Sequence, residues 1–219
     1  MTNLSILQNA GKVYDTPYPH IIIEDALPQN LFDELHRTLP ETYVAGKALG
    51  PDFSRRVKYH VLDEDAWPIT DLWKDFFQYH TSRKFFNEVL DLFGNHVSRL
   101  PIQPEKIITG RGKKSPNINC YQDCQFVRHD VVPAGETTRT PHAGLLYFKH
   151  DTSTGGDFHI HEQIEPPTME GKNNAITNAG SIVRTAPYKN NTVALFLNSR
   201  YAIHSVEPRS GIQHPRWSV

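Results

Sequence analysis

The sequence predicts an α+β protein, with helices in its first half and an antiparallel β-core in its second half. Apolar residues recur at the helical period up to about residue 100, and from Pro101 onward short apolar runs alternate with turn-forming residues. A chain of 219 residues, 38% of them hydrophobic, is long enough to bury one core. We therefore expect a single domain over residues 1–219, with supporting elements in about 1–100 and the β-core in about 101–219.

The first half is predicted to hold one strand and three helices. A β-branched run at 18–24 indicates the strand. Apolar stripes at helical spacing indicate helices over 30–39, 70–79 and 82–93. Because these stripes are rich in aromatic side chains, we expect them to pack against one side of a sheet rather than to hold a cofactor.

The second half is predicted to be a series of short strands separated by Gly, Pro and Asn-rich turns. Many short strands at such spacing are typical of a β-sandwich or barrel. The polar, Asn-rich segment 169–180 indicates a surface loop. The predicted strands cover residues 118–127, 143–148, 157–160, 181–185, 192–197, 202–206 and 216–219.

Composition restricts the classes of partner and the compartment. The 23 Lys and Arg residues balance 24 Asp and Glu residues, so no basic excess points to nucleic acid as a partner. No apolar stretch has the length of a membrane span, and the N-terminus lacks the apolar core of a signal peptide. Cys120 and Cys124 would share one face of a strand at a distance too great for a disulfide. We therefore predict two buried thiols in a cytoplasmic protein without a membrane partner.

Two of the twelve histidines stand out by their context. His142 immediately precedes the apolar strand AGLLYF, and His204 lies in the strand AIHSV. Imidazole is a good ligand for Fe(II), which typically takes two histidines and one carboxylate. Two histidines on different strands of a β-barrel would meet across it, although a single histidine near apolar residues is more often structural.

Arg216 follows His204 after a turn at 208–211. If the two segments form a hairpin, Arg216 returns beside His204, where a buried guanidinium would bind a carboxylate through two parallel hydrogen bonds. A surface charge at a strand end is the alternative interpretation, and Arg209 is a competing candidate for the same task.

Taken together, the segments TPH, AGLLYF, TGGDFHI, PYKNNTVALFLNSRYAIHSVEPR and PRWSV resemble the core of the Fe(II)- and 2-oxoglutarate-dependent oxygenases, in the prolyl-hydroxylase-like group. The resemblance implies a double-stranded β-helix (jelly-roll) core braced by N-terminal helices. It implies Fe(II) held by His142 and His204, and 2-oxoglutarate as co-substrate held by Arg216. It also implies hydroxylation of a small-molecule or peptidyl substrate. Tyr147 is a further candidate from its place on a strand near the expected pocket, where its hydroxyl would hydrogen-bond the co-substrate; core packing is the alternative interpretation.

One position departs from the family pattern. The residue two after His142 is Gly144, where the family has an Asp or Glu that completes the iron site. Because the apolar strand begins directly after His142, we expect that a short segment between His142 and Ala143, including the acid, is missing from the sequence given, together with a tail after Val219. Asp130 and Asp151 are the remaining oxygen donors nearby, and both are predicted to be solvated.

Three other interpretations stay open at this point. Related halogenases carry Gly or Ala at the position of Gly144 and bind halide there. A non-catalytic jelly roll would have lost its metal altogether, and a cupin-like metalloprotein would use other chemistry. Among the other histidines, His159 and His161 share a strand face and are predicted to line the rim of the site. We expect His129, His150 and His214 to be exposed, and Tyr121 to lie near the pocket.

Overall fold

The structure is a computed structural model of the chain. For the strands at 57–60, 117–121, 169–170 and 175–176 it describes the backbone path. The residues that it describes are 3–39, 57–60, 69–99, 104, 117–121, 141–162, 169–170, 175–176, 179–199, 202–214 and 216–219.

Three helices form where the apolar stripes predict them: α1 (Gln29–Arg37), α2 (Asp71–His80) and α3 (Arg83–Phe93). Side-chain caps fix two of their starts. Thr70 accepts a hydrogen bond from the Trp73 amide at 3.4 Å, and Ser82 accepts one from the Phe85 amide at 3.2 Å. Each cap satisfies an amide that has no partner inside its own helix. A short 3₁₀ helix, Gly94–Arg99, follows α3.

Antiparallel strands make up the rest of the described fold, which confirms the α+β class. The first half contributes β1 (His20–Ile23), as predicted, and β2 (Val57–His60). The strands of the second half are β3 (Asn117–Tyr121), β4 (His142–Phe148), β5 (Thr154–Gly155), β6 (Phe158–His161), β7 (Met169–Glu170), β8 (Ala175–Ile176), β9 (Ile182–Ala186), β10 (Val193–Leu197), β11 (His204–Val206), β12 (Arg209–Ser210) and β13 (Arg216–Ser218).

The strands form a six-stranded sheet in the order β1-β10-β4-β13-β3-β2 and a three-stranded sheet in the order β11-β6-β9. Two short pairs, β12 with β5 and β7 with β8, complete the topology. The pair β7–β8 corrects the prediction of a loop over 169–180, because Met169 and Glu170 pair with Ile176 and Ala175. The Asn-rich residues between the two strands lie outside the described residues.

A first core fills the space between the helices and one face of the six-stranded sheet, which we call the helix face. The Phe148 ring stacks on Phe32 of α1 at 5.0 Å and lies 5.7 Å from Trp73 of α2. All three side chains are essentially buried. Burial of such large apolar groups is the main favourable contribution to folding. The predicted role of the aromatic stripes as packing faces is thereby confirmed.

A second core lies between the six-stranded and three-stranded sheets, a volume that we call the inter-sheet space. Phe196 of the larger sheet stacks on Phe158 of the smaller sheet at 5.8 Å. The faces that line this space are the inner faces of the two sheets. The buried residues of the second core are Tyr18, Tyr147, Phe158, Ile160, Ala186, Tyr188, Ala194, Phe196 and Ala202.

In the part of the chain that the structure describes, no helix combines the length and the apolarity needed to cross a bilayer.

Candidate functional site

Strand β4 divides its side chains between the two cores. Side chains alternate between the faces of a strand. Leu146 and Phe148 lie in the first core, whereas Leu145 and Tyr147 lie in the second. This alternation determines which of the predicted site residues can meet in the inter-sheet space.

His142, the first residue of β4, lies on the helix face. It pairs with Leu197, whose side chain belongs to the first core. Its ring contacts two phenylalanines of α3, with centroids 6.5 Å from Phe85 and 6.2 Å from Phe86. Burial lowers the pKa of His142 to about 4, so the imidazole is neutral at pH 7. Its Nδ1 is buried and has no hydrogen-bond partner among the described residues.

His204, the first residue of β11, lies on the inner face of the three-stranded sheet. It pairs with Ile160, and its ring packs 5.0 Å from both Phe158 and Phe196. Its Nδ1 lies 2.8 Å from the Ala202 carbonyl, so Nδ1 carries the proton and donates it there. This arrangement leaves Nε2 as the nitrogen with the lone pair. The same backbone hydrogen bond orients many metal-binding imidazoles.

The two imidazoles therefore lie on opposite faces of the six-stranded sheet, and the structure does not bring them together. His142 faces α3, whereas His204 packs on Phe196 in the inter-sheet space. The described residues contain no group of three or more His, Cys, Asp or Glu side chains placed to hold a metal ion. The predicted iron site of His142 plus His204 is not assembled by these residues, and we derive no chemical step through iron.

Arg216 lies in the inter-sheet space, so its interpretation as a surface charge is wrong. The residue is 2% exposed. Its guanidinium carbon lies 4.8 Å from the Tyr147 ring centroid and 5.1 Å from that of Tyr188. A guanidinium remains charged at any pH that proteins tolerate and presents a planar fork of donors to a carboxylate. Tyr147, the second residue predicted to bind the co-substrate, is thus in contact with the first.

Tyr188 fixes one side of this arrangement. Its hydroxyl donates to the Phe148 carbonyl and accepts from the Trp217 amide, both at 3.2 Å. Burial raises the pKa of Tyr188 to about 12, although the Trp217 hydrogen bond and the charges of Arg209 and Arg216 oppose this shift. The phenol is therefore neutral at pH 7. The sequence analysis assigned no role to Tyr188, because nothing in PYKNN distinguishes a buried tyrosine from one in a surface turn.

Arg209, the competing candidate for carboxylate binding, already has a carboxylate partner. Its Nη1 lies 3.5 Å from Oδ2 of Asp151, and neither side chain has exposed area. Nη2 also donates to the His214 carbonyl at 3.0 Å. The charge of Arg209 is therefore neutralised by Asp151.

The prediction that Asp151 is solvated is wrong. Its carboxylate accepts hydrogen bonds from the Gln213 and His214 amides at 3.0 and 2.9 Å, and from Ser153. Burial alone would raise the pKa of Asp151, but these hydrogen bonds outweigh it and hold the pKa well below its usual range. Asp151 therefore ties the turn after β12, which leads into Arg216, to the segment after β4.

The remaining predicted polar residues occupy varied surroundings. His161 is buried, with ring nitrogens 2.9 Å from the Gly180 carbonyl and 2.7 Å from the Ser205 hydroxyl. His159 Nδ1 lies 3.0 Å from the Thr185 hydroxyl near the surface, so the two rings have different hydrogen-bond partners. His150 is half-buried against His36, with Nε2 atoms 3.0 Å apart, which corrects its predicted exposure.

Several other predictions concern a residue at the surface, residues outside the described ranges, and residues of a strand for which only the backbone path is described. His214 is exposed, as predicted. Cys124, His129 and Asp130 lie outside the described residues, and Cys120 and Tyr121 lie in β3, for which the backbone path is described.

No family model and no curated protein matches the chain. A solved structure described as "Crystal structure of IDO from Bacillus thuringiensis" is similar to it, with 13% identity over 91% of this chain and 88% of that chain and a TM-score of 0.39. Similarity at this TM-score indicates neither a detailed fold nor an activity.

Proposed function

We propose that this chain is a 2-oxoglutarate-dependent dioxygenase with a jelly-roll core, and that the inter-sheet space is its co-substrate site. The observation that carries the proposal is the buried guanidinium of Arg216 on the inner face of the six-stranded sheet, in the same inter-sheet space that His204 faces from the three-stranded sheet. The resemblance of the second half to Fe(II)/2-oxoglutarate oxygenases supports it. In this account the protein is cytoplasmic, and it acts on a small-molecule or peptidyl substrate rather than on nucleic acid or a membrane.

The residues of the inter-sheet space would bind 2-oxoglutarate by its distal carboxylate. Arg216 offers two parallel N–H donors, and charge-assisted pairs of this kind are short and strong. The rings of Tyr147 and Tyr188 lie 4.8 and 5.1 Å from the guanidinium carbon, where aromatic rings attract a cation. With O2 as the oxidant, the overall reaction would place one oxygen atom in a C–H bond of the substrate and the other in succinate, while 2-oxoglutarate loses CO2.

Of the two histidines predicted to hold iron, His204 fits the role and His142 does not. His204 lies on the inner face with its Nδ1 proton donated to a carbonyl. His142 lies on the helix face against α3. Activity therefore requires iron ligands besides His204 that the described residues do not supply. This observation favours a second candidate, a non-catalytic jelly-roll protein that binds a diacid without a metal.

Calorimetric titration with 2-oxoglutarate tests the binding site itself. The wild type should bind, and Arg216→Gln should lower the affinity at least about tenfold, because the charged donor pair is lost. Arg37→Gln is the matched control, since Arg37 pairs with Glu34 on the exposed surface of α1. Equal affinities in all three proteins would refute the assignment of Arg216.

Anaerobic addition of Fe(II) and then 2-oxoglutarate separates the two candidates. A weak visible charge-transfer band, lost in His204→Ala, would support the dioxygenase. Binding of 2-oxoglutarate without that band and without turnover to succinate would support the non-catalytic protein.

A further inference from the structure

A second arginine lies on an inner face, at the end of the inter-sheet space that holds His204. Arg184 of β9 pairs with Ile160 of β6, and Ile160 pairs on its other side with His204. Residues directly opposite each other in neighbouring strands point to the same face. Ile160 belongs to the second core, so Arg184 and His204 both face the inter-sheet space at one level.

Arg184 contacts an aromatic ring, and no acidic side chain among the described residues pairs with its guanidinium. Its guanidinium carbon lies 3.5 Å from the ring centroid of Tyr14, and Lys12 Nζ lies 5.5 Å from the same centroid. Among the described residues no carboxylate forms an ion pair with Arg184, and its buried Nε has no hydrogen-bond partner. A buried donor left unsatisfied in this way costs free energy, which an anionic ligand would recover.

The neighbours of Arg184 add no negative charge. His20 is buried and stacks on Tyr14 at 5.4 Å. Burial lowers the pKa of His20, and the charge of Arg184 lowers it further, so the imidazole is neutral at pH 7. Asp15, the acid next to Tyr14 in the chain, has its Oδ1 3.0 Å from Nε2 of His96 instead. None of these described neighbours therefore brings a negative charge to Arg184.

We propose that Arg184 binds a carboxylate of the primary substrate, so that the protein acts on a small organic acid. The inference rests on the proposed function, in which Arg216 holds the co-substrate elsewhere on the inner faces. Two guanidinium groups at separate positions then bind two separate acids. The end with Arg184 is also the end with His204, which places the substrate beside the predicted metal ligand.

The side-chain Nε–H signal of Arg184 in a ¹H–¹⁵N spectrum reports binding at this position, and its absence in Arg184→Gln assigns it. Arg184→Lys provides the same assignment if the glutamine variant does not fold. Acetate should shift this signal saturably, whereas chloride at the same ionic strength should not. Arg184→Gln should lower the affinity for acetate, followed through the neighbouring backbone amides, at least about tenfold. No saturable shift, an equal shift with chloride, or tighter binding of inorganic phosphate than of acetate would overturn the proposal.

Titration of both arginine variants with 2-oxoglutarate separates this inference from the proposed function. Arg184→Gln should keep the wild-type affinity for 2-oxoglutarate, and Arg216→Gln should lose it. If Arg184→Gln loses the affinity instead, Arg184 holds the co-substrate and the inference fails. If acetate binds at Arg184 but Arg216→Gln leaves 2-oxoglutarate binding unchanged, the proposed function fails and the acid-binding site stands.

Discussion

The carboxylate of Asp151 holds in place the turn that leads into Arg216. It pairs with Arg209 and accepts hydrogen bonds from the backbone of that turn, at Gln213 and His214. Charge-assisted hydrogen bonds to backbone amides are among the stronger ones in proteins. The position of the candidate ligand-binding residue thus depends on one buried acid from the segment after β4.

Replacement of Asp151 by Asn should destabilise the protein by about 3 to 5 kcal/mol, because it removes the buried carboxylate that pairs with Arg209 and accepts the Gln213 and His214 amides. The pKa of Asp151 is depressed in the folded state, so its contribution is present above the unfolded pKa of about 3.9 and is lost as the pH falls below it. Urea denaturation between pH 3 and pH 7 measures both effects.

Asp71→Asn on α2 is the control, since Asp71 pairs with Lys74 on the exposed surface. It should leave the denaturation midpoint unchanged at neutral pH. A variant of Asp151 as stable as wild type at pH 7 would show that the ion pair with Arg209 does not form.

His142 should make the folded state sensitive to mild acid. Its folded pKa of about 4 lies below the unfolded value of about 6.5. As the pH falls from about 6.5 towards 4, this histidine becomes protonated in the unfolded chain but stays neutral in the folded chain. The free energy of unfolding therefore falls by up to about 3 kcal/mol. His142→Phe should remove this loss, because a phenyl ring suits the contacts with Phe85 and Phe86.

The measurement is the free energy of unfolding at several pH values for the wild type and His142→Phe. Phe93→Leu, in the first core and without a titratable group, should lower the stability by the same amount at each pH and so keep the wild-type pH dependence. Identical slopes for wild type and His142→Phe would mean that His142 is not buried against α3.

At the scale of secondary structure, β4 decides what the candidate site contains. Because side chains alternate between the faces of β4, Tyr147 lies in the inter-sheet space and His142 lies on the helix face. Gly144 shares the face of His142, since it pairs with Leu195 of the first core. A side chain added there would begin 2.9 Å from the end of Leu195 rather than beside His204.

Gly144→Asp, which restores the acid of the family pattern, should therefore fail to raise the affinity for Fe(II). The new carboxylate would lie on the helix face, on the opposite side of the sheet from His204. Equilibrium titration with Fe(II) under anaerobic conditions measures this, with Gly144→Ala as the control for steric effects. A gain in Fe(II) affinity in the Asp variant alone would place position 144 in the inter-sheet space.

The three helices and the longer strands could be predicted from local pattern, whereas the short strands β2, β5, β7, β8 and β12 were not predicted. The apolar stripes of α1, α2 and α3 and the short apolar runs of β4 and β10 determine their conformation through burial of one face or both. Which face His142 takes could not be predicted in this way. A shift of one residue in the register of a strand exchanges its two faces, and the register is set by pairing with β10, distant in sequence.

The burial of Asp151 was missed for a related reason. The local sequence HDTSTGG has the composition of an exposed turn. Its partner Arg209 comes much later in the chain and reaches Asp151 through the pairing of β12 with β5. A local pattern carries no information about such a contact. The prediction for Arg216, by contrast, rests on the order of whole strands in the resemblance, and the structure buries this residue in the inter-sheet space.

At the scale of the molecule, the core that supports the six-stranded sheet is separate from the space in which we propose that a ligand binds. The first core joins the helices to the six-stranded sheet, and its members are apolar. The inter-sheet space is lined by the buried guanidinium of Arg216, the half-buried Arg184 and the imidazole of His204. Polar groups of this kind in an apolar surrounding are typical of ligand sites.

A crystal structure of the protein soaked with 2-oxoglutarate tests this central claim most directly. We predict density for the diacid between the two sheets, with its distal carboxylate on the guanidinium of Arg216. Density on the helix face beside His142, or an inter-sheet space closed to the diacid while calorimetry shows that it binds, would contradict the account.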